Sequence, residues 1–245
     1  MIRTLVSTLV ALLLGAGLAH AAPITFFGED ISSGPDSVRI PSHAVSDAAR
    51  NAFLAGQASQ ATQSFPDGLA ADTPAPIAGP PGATLTGEGR SANLSTGTDG
   101  SGGFPISGSA YWQLDANKFQ IELTGSAIGI GFYGIDIGDA GGQLTVTLSN
   151  GGSFSLPSGT PASGSVLYFG VIDASNPFNL ITFERSNPLV ADRFNFDDFT
   201  LVYASEDLAL APTPEPGTLL LLGSSLAAIG AAVRRRRKPA TPTVE

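Results

Sequence analysis

The 245-residue chain has no cysteine. That excludes disulfides and thiol nucleophiles, so the fold must stand on its core or on bound ions. Histidine is nearly as scarce. Beyond residue 21 only His43 remains, and any Ser-His-Asp arrangement would depend wholly on it. No GxSxG, Walker loop, HExxH or EF-hand spacing occurs. Basic charge is the third shortage. Between residues 23 and 213, Arg39, Arg50, Arg90, Lys118, Arg185 and Arg193 are six bases against nineteen acidic residues, a net charge of about −13. Such a field opposes contact with nucleic acid or anionic lipid surfaces. No internal repeat is visible.

The ends of the chain carry the strongest signals. Met1-Ile2-Arg3 is a short positive segment, followed by the uncharged apolar stretch 5–18 (LVSTLVALLLGAGL). Ala19-His20-Ala21 offers small residues where a signal peptidase reads, which predicts cleavage after Ala21 or Ala22. An uncleaved anchor is the alternative, but a bilayer core of ~30 Å needs roughly 20 apolar residues. Near the other end, Pro214-Glu215-Pro216 precedes the uncharged stretch 217–233 (GTLLLLGSSLAAIGAAV) and then Arg234, Arg235, Arg236, Arg237 and Lys238. As a helix rising ~1.5 Å per residue, that stretch spans about 25 Å, near the lower limit for crossing a membrane. The basic cluster predicts its cytoplasmic side, with the domain before it held outside.

These residues together resemble the PEP-CTERM sorting signal of Gram-negative bacteria: Pro214 to Pro216, a short transmembrane helix over 217–233, and an Arg-rich end. The resemblance covers about the last thirty residues, and Thr213 stands where Val is frequent. It implies that an integral-membrane exosortase recognises the tail and cleaves near the motif, making the helix a temporary anchor.

Between the ends, 46–55 (SDAARNAFLA) predicts a short helix with Ser46 as N-cap and Ala48, Ala49, Ala52 and Phe53 as its apolar face. From 56 to 103 the chain is rich in Gly, Ala, Ser, Thr and Pro, with one strand signal near 83–86. After residue 109 the period becomes two. Strands are expected at 118–123 (KFQIEL) and 143–149 (QLTVTLS), the latter turning at Asn150-Gly151-Gly152 into 153–156. The more continuously apolar 165–173 and 180–184 read as buried strands. In 194–203 (FNFDDFTLVY), Phe194 and Phe196 have one parity and Phe199, Leu201 and Tyr203 the other. One inserted residue at Asp197-Asp198, a β-bulge, would restore a common face. A similar slip separates Ile128, Ile130 and Phe132 from Tyr133, Ile135 and Ile137, with Gly131 and Gly134 expected to ease a kink.

The fold class expected is mainly β: a jelly-roll-like antiparallel β-sandwich ectodomain with a short N-terminal helix and one C-terminal transmembrane helix. A β-barrel is the rival arrangement. The organisation reads as a signal peptide at 1–21, a short helix plus weakly structured chain at 22–108, and the sandwich core at 109–205. A linker at 206–213, the sorting signal at 214–238 and a cytoplasmic tail at 239–245 follow. The segments AARNAFLA, FYGIDIGDAGGQLTVTLSNGG, SVLYFGVIDAS and FNFDDFTL also look like the ectodomain of a recurrent group of PEP-CTERM proteins, across roughly 46–203 with a poor centre at 56–108. That resemblance implies a carbohydrate-binding-module-like jelly roll.

No catalytic residue is assigned. Asp136, Asp139, Asp197 and Asp198, with Asp173, are candidate oxygen ligands for Ca²⁺; the competing reading makes them turn and bulge residues. Tyr111, Trp112 and Tyr133 could stack on a sugar or belong to the core. The functional expectation is a non-enzymatic, exosortase-sorted envelope or matrix protein binding exopolysaccharide, with signal peptidase, exosortase and the membrane as processing partners. The alternative is a carbohydrate-active hydrolase using paired carboxylates. An exposed aromatic row would favour binding, and a cleft with two carboxylates about 5–10 Å apart would favour hydrolysis.

Overall fold

The computed structural model describes residues 21–57, 60–63, 75–77, 82–114, 117–139, 142–156, 163–186 and 193–204. The expected signal segment through residue 20, linker, sorting tail with the helix expected at 217–233, and cytoplasmic tail lie outside the described residues. Among the described residues, no helix is long and apolar enough to cross a membrane.

The elements run β1 (Ile24–Asp30), α1 (Ala44–Leu54), β2 (Gln60–Gln63), β3 (Ala75–Ile77), β4 (Ala83–Gly87), β5 (Arg90–Asn93) and β6 (Ala110–Leu114). They continue with β7 (Lys118–Ala127), β8 (Gly129–Ile135), β9 (Leu144–Leu148), β10 (Ser153–Ser155), β11 (Val166–Ile172), β12 (Phe178–Arg185) and β13 (Phe194–Val202). All pairings are antiparallel, and they form a jelly-roll-like sandwich. One sheet runs β1-β11-β8-β13-β6-β5, with β2 also on β13, and the other β10-β9-β12-β7-β4-β3. The sandwich therefore begins well before residue 109: β1, β4 and β5 all belong to it. The small side chains of β4 and β5 (ATLTG, RSAN) hide in a Gly- and Thr-rich stretch that composition alone reads as loose.

Period-two alternation becomes a dry interface. Phe119, Ile121, Leu144, Val146, Leu148, Phe169, Phe183, Phe196 and Phe199 all join one buried cluster between the sheets. The bulge expected in β13 is present, because Asp197 faces Tyr133 while Thr200 faces Gly131, leaving two residues opposite Phe132. With that insertion Phe194, Phe196, Phe199, Leu201 and Tyr203 all enter the same cluster.

The kink expected in β8 is a correction. Its pairing to β11 runs unbroken from Ile135 opposite Val166 to Gly129 opposite Ile172. Both faces of the strand are buried instead. Ile130 and Phe132 point into the sandwich, while Tyr133 and Ile135 join a second cluster with Phe53, Val166, Tyr168 and Val202 under α1. A strand covered on both sides shows no polar parity, which is why the sequence pattern looks like a slip.

Helix α1 corrects two further expectations. It starts at Ala44, so Ser46 lies inside the first turn, and the His43 side chain at the cap position bonds none of the free helix N–H groups. The cap comes from β1: Asp30 Oδ1 accepts the Val45 N–H at 3.2 Å and Oδ2 the Ser46 N–H at 2.8 Å. Ser46 Oγ donates to the Val166 carbonyl at 2.9 Å, tying the helix to the sheet. Ala48 and Ala52 are exposed, and the buried face runs through Ser46, Ala49 and Phe53. Its angle is set by glycines, not by helix hydrophobicity. A Cβ on Gly170 would come within 2.6 Å of the Phe53 ring, and one on Gly28 would strike the Val45 carbonyl. Gly28→Ala should therefore cost about 1–3 kcal/mol by pushing backbone off backbone. Urea unfolding would measure it, and a change below ~0.5 kcal/mol would refute this account of the contact.

Candidate functional site

The aspartate bulge sits under a loop. Asp197 is buried on the outer face of the seven-stranded sheet, where its Oδ2 accepts the N–H groups of Ile106 at 2.8 Å and Ser107 at 2.9 Å. Its Oδ1 accepts the Asp198 N–H at 2.8 Å, and Asp198 Oδ1 accepts the Ser107 hydroxyl at 2.6 Å. Burial pushes the Asp197 carboxyl up to about 7, with the charge of Asp198 adding to it and the N–H donors opposing. Nearer the start of β13, Gln113 Nε2 donates to Asp99 Oδ2 at 2.9 Å and to Asn195 Oδ1 at 3.3 Å, and Arg90 grips Gln113 Oε1. Asp136 Oδ1 accepts the Gly164 N–H at 2.8 Å. The bonds made by Asp99, Ile106 and Ser107 staple the glycine-rich loop between β5 and β6 onto the sheet.

The candidate calcium ligands are spread along the sheet. The two segments do neighbour one another, since β8 pairs with β13. Their carboxylates do not converge. Asp136 follows Ile135, which faces Asn195, so it is offset from Asp198 by about four residues, on the order of 13 Å along the strand. Asp139 lies further along the same loop. Asp173 sits at the far end, accepting Asn150 Nδ2 at 3.1 Å. Among the described residues, no three His, Cys, Asp or Glu side chains stand close enough together to hold a metal ion. Asp136 and Asp198 adopt positive φ, 62° and 49°, as turn and bulge residues do.

Of the two readings of the aromatic rings, burial favours the core one. Tyr111, Trp112 and Tyr133 are 1%, 1% and 2% exposed, so none offers a ring face to a ligand. Trp112 packs inward near Phe119, with ring centroids 6.2 Å apart. Tyr111 lies outward beneath the loop, beside Asp99, and burial raises its hydroxyl above the usual tyrosine range. Tyr133 donates to Asp47 Oδ1 at 2.5 Å, and His43 Nδ1 meets the same oxygen at 2.9 Å. His43 thereby helps anchor α1 to the sheet. Parity could not separate these rings from surface rings, because both faces of their sheet are covered.

The open polar surface is the outer face of the six-stranded sheet. Register aligns Ser153, Thr147, Thr182, Gln120 and Thr86 in one row across five strands. Gln120 Nε2 donates to Thr182 Oγ1 at 3.1 Å within it. The next row holds Ser155, Thr145, Glu184 and Lys118. At its end Asn117, Thr145, Glu184, Arg185 and Ser186 line an open concavity of about 380 Å³. Backbone bonds fix its rim: Arg185 N–H to the Asn117 carbonyl at 2.9 Å and Ser186 N–H to the Gln143 carbonyl at 2.8 Å. Of the five lining residues, Glu184 alone carries a carboxylate. Sequence reasoning missed this set, although the polar members of KFQIEL and LITFE marked the outward parity.

The chain enters and leaves the sandwich at the opposite end. Ile24, Ile172, Gly129 and Val202 form one row across the seven-stranded sheet, whereas Leu114 at the end of β6 pairs with Phe194 at the start of β13, and β7 begins four residues later at Lys118.

The family model of the PEP-CTERM protein-sorting motif matches residues 212–237. No curated protein sequence matches the chain. Among solved structures the chain is similar to family 29 carbohydrate-binding modules. One variant module shares 16% identity at a TM-score of 0.31, over 63% of this chain and 99% of the module. Another, solved with mannohexaose, shares 15% at 0.29 over 63% and 98%, and a further family 29 module shares 14% at 0.28 over 80% and 99%. The sandwich assignment itself rests on the strand pairing above.

Proposed function

We propose that this is an exported, non-enzymatic envelope protein, sorted by an exosortase, whose ectodomain binds exopolysaccharide. The sorting-motif match at 212–237 carries the first part. In this reading signal peptidase removes residues 1–21, and the helix at 217–233 holds the chain in the inner membrane until cleavage near Pro214-Glu215-Pro216. Ectodomain, linker and tail follow the boundaries given above, with the sandwich extended back to β1. Arg234 to Lys238 set the orientation. Replacing those five with Ser or Gln should abolish retention and maturation. Fractionation and a mobility shift on gels measure both, and a variant that matures like wild type would count against the sorting reading.

The polar face supports the second part. Rows of hydroxyl and amide groups spaced ~4.8 Å from strand to strand can meet the hydroxyls of an extended polymer. The last described residues, after β13, lie at the end of the sandwich away from the concavity. Binding would rest on hydrogen bonds, because among the described residues no row of exposed rings crosses this face. A glycan array of residues 23–211, with and without Ca²⁺, tests this. Loss of signal in Gln120→Ala/Thr182→Ala, with an unchanged melting temperature, would support the face. Equal binding by that variant would remove it. Among the described residues lining the concavity there is one carboxylate, where paired-carboxylate hydrolysis needs two.

A further inference from the structure

Strand β1 is an edge, and it is unusually apolar for one. It pairs with β11 only, and among the described residues no strand meets its other side. Its sequence, ITFFGED, has no proline, no lysine and no bulge, the devices that normally blunt an exposed edge. Ile24 is 59% exposed, Phe27 42% and, on the adjoining first turn of α1, Val45 54%. Among the described residues Ile31 and Val38 complete the exposed large apolar side chains, so all five fall between residues 24 and 45. Scattered apolar side chains need no explanation, but a cluster beside an open backbone edge does.

We infer that β1 pairs with β1 of a second copy, antiparallel and centred on Phe27, joining two seven-stranded sheets into one. Charge selects the orientation of this pairing. The acidic residues of β1 are both at its C-terminal end, Glu29 and Asp30. A parallel pairing would stack each against its own copy. The antiparallel pairing sets Glu29 opposite Thr25 and Asp30 opposite Ile24, and keeps the four carboxylates apart. It also sets Phe27 against Phe27 on the face toward the six-stranded sheet. The contact is isologous, so it closes at two copies and leaves no further edge of the same kind. Because the copies are acidic, association strengthens as salt rises.

The absence of cysteine makes the test direct. Opposed residues in an antiparallel pair have Cα atoms roughly 4.5–5.5 Å apart, inside the 4.4–6.8 Å range of disulfides. The full chain carrying Phe27→Cys, extracted in mild detergent and gently oxidised, should form a covalent dimer on a non-reducing gel. Its rate should exceed that of Asn93→Cys, on the far edge strand β5, by about tenfold or more through raised local concentration. Thr25→Cys alone should link slowly, and quickly when mixed with Glu29→Cys. Equal rates for Phe27→Cys and Asn93→Cys would overturn the pairing. Faster linking of Thr25→Cys to itself than to Glu29→Cys would overturn the register. Melting curves matching wild type confirm that each variant is folded.

Discussion

Phe119→Ala lowers the unfolding free energy by about 3–5 kcal/mol, the cost of emptying a fully enclosed phenylalanine site. Phe119 is the ring through which the two sheets interlock. It stacks on Phe183 with centroids 4.4 Å apart and planes 4° from parallel, and presents edges to Phe196 at 5.1 Å and Phe199 at 6.0 Å. Those neighbours touch one another and Phe132, so no single side chain can swing in to refill the space. Without disulfides, this cluster carries stability that many exported domains take from cross-links. Phe154, half-buried on edge strand β10, is the internal comparison, and its truncation should cost less than half as much. Urea denaturation of residues 23–211 measures both. Equal losses at the two positions would show that the aromatic cluster is not where the fold's stability is concentrated.

The ectodomain also loses stability as pH rises from about 5 to 8. Asp197 is the cause. Its carboxyl is pushed from 3.8 to about 7 in the folded protein, so the native state holds a proton that the unfolded chain has released. Stabilisation of that kind is complete below the unfolded value and disappears as pH passes the folded one. Between pH 5 and 8 it amounts to roughly 3 kcal/mol, since each unit of difference is worth about 1.4 kcal/mol. For a domain of this size the melting temperature should fall by roughly 6–12 °C. Ionised Asp197 keeps its bonds to Ile106 and Ser107 but must sit dry beside Asp198, and that is the source of the loss. In Asp197→Asn the slope should largely vanish. A wild-type melting temperature flat from pH 5 to 8, or a variant with undiminished slope, would contradict the assignment.

Much of this protein could be read before folding. The sorting tail is a local signal, recognised by order along the chain and not by shape. Strands such as KFQIEL and QLTVTLS advertise their inner face because one side meets water and the other does not. The parity break in FNFDDFTLVY had only one economical solution, and the bulge at Asp197 and Asp198 is that solution.

Tertiary structure decided everything that depends on a surface being covered twice. Ile128 to Ile137 looked kinked because α1 and the stapled loop hide the second face of β8, erasing the polar parity by which a straight strand is recognised. Tyr111 and Tyr133 were read as possible ligand rings for the same reason. Asp30 caps a helix that begins fourteen residues later, a partnership set by the approach of β1 and not by any local cap motif. The aspartates were legible as special but not as separate. Neighbouring strands brought their segments together, and register then offset the carboxylates, because pairing fixes which backbone groups meet and leaves the distance between side chains to the count of residues along each strand.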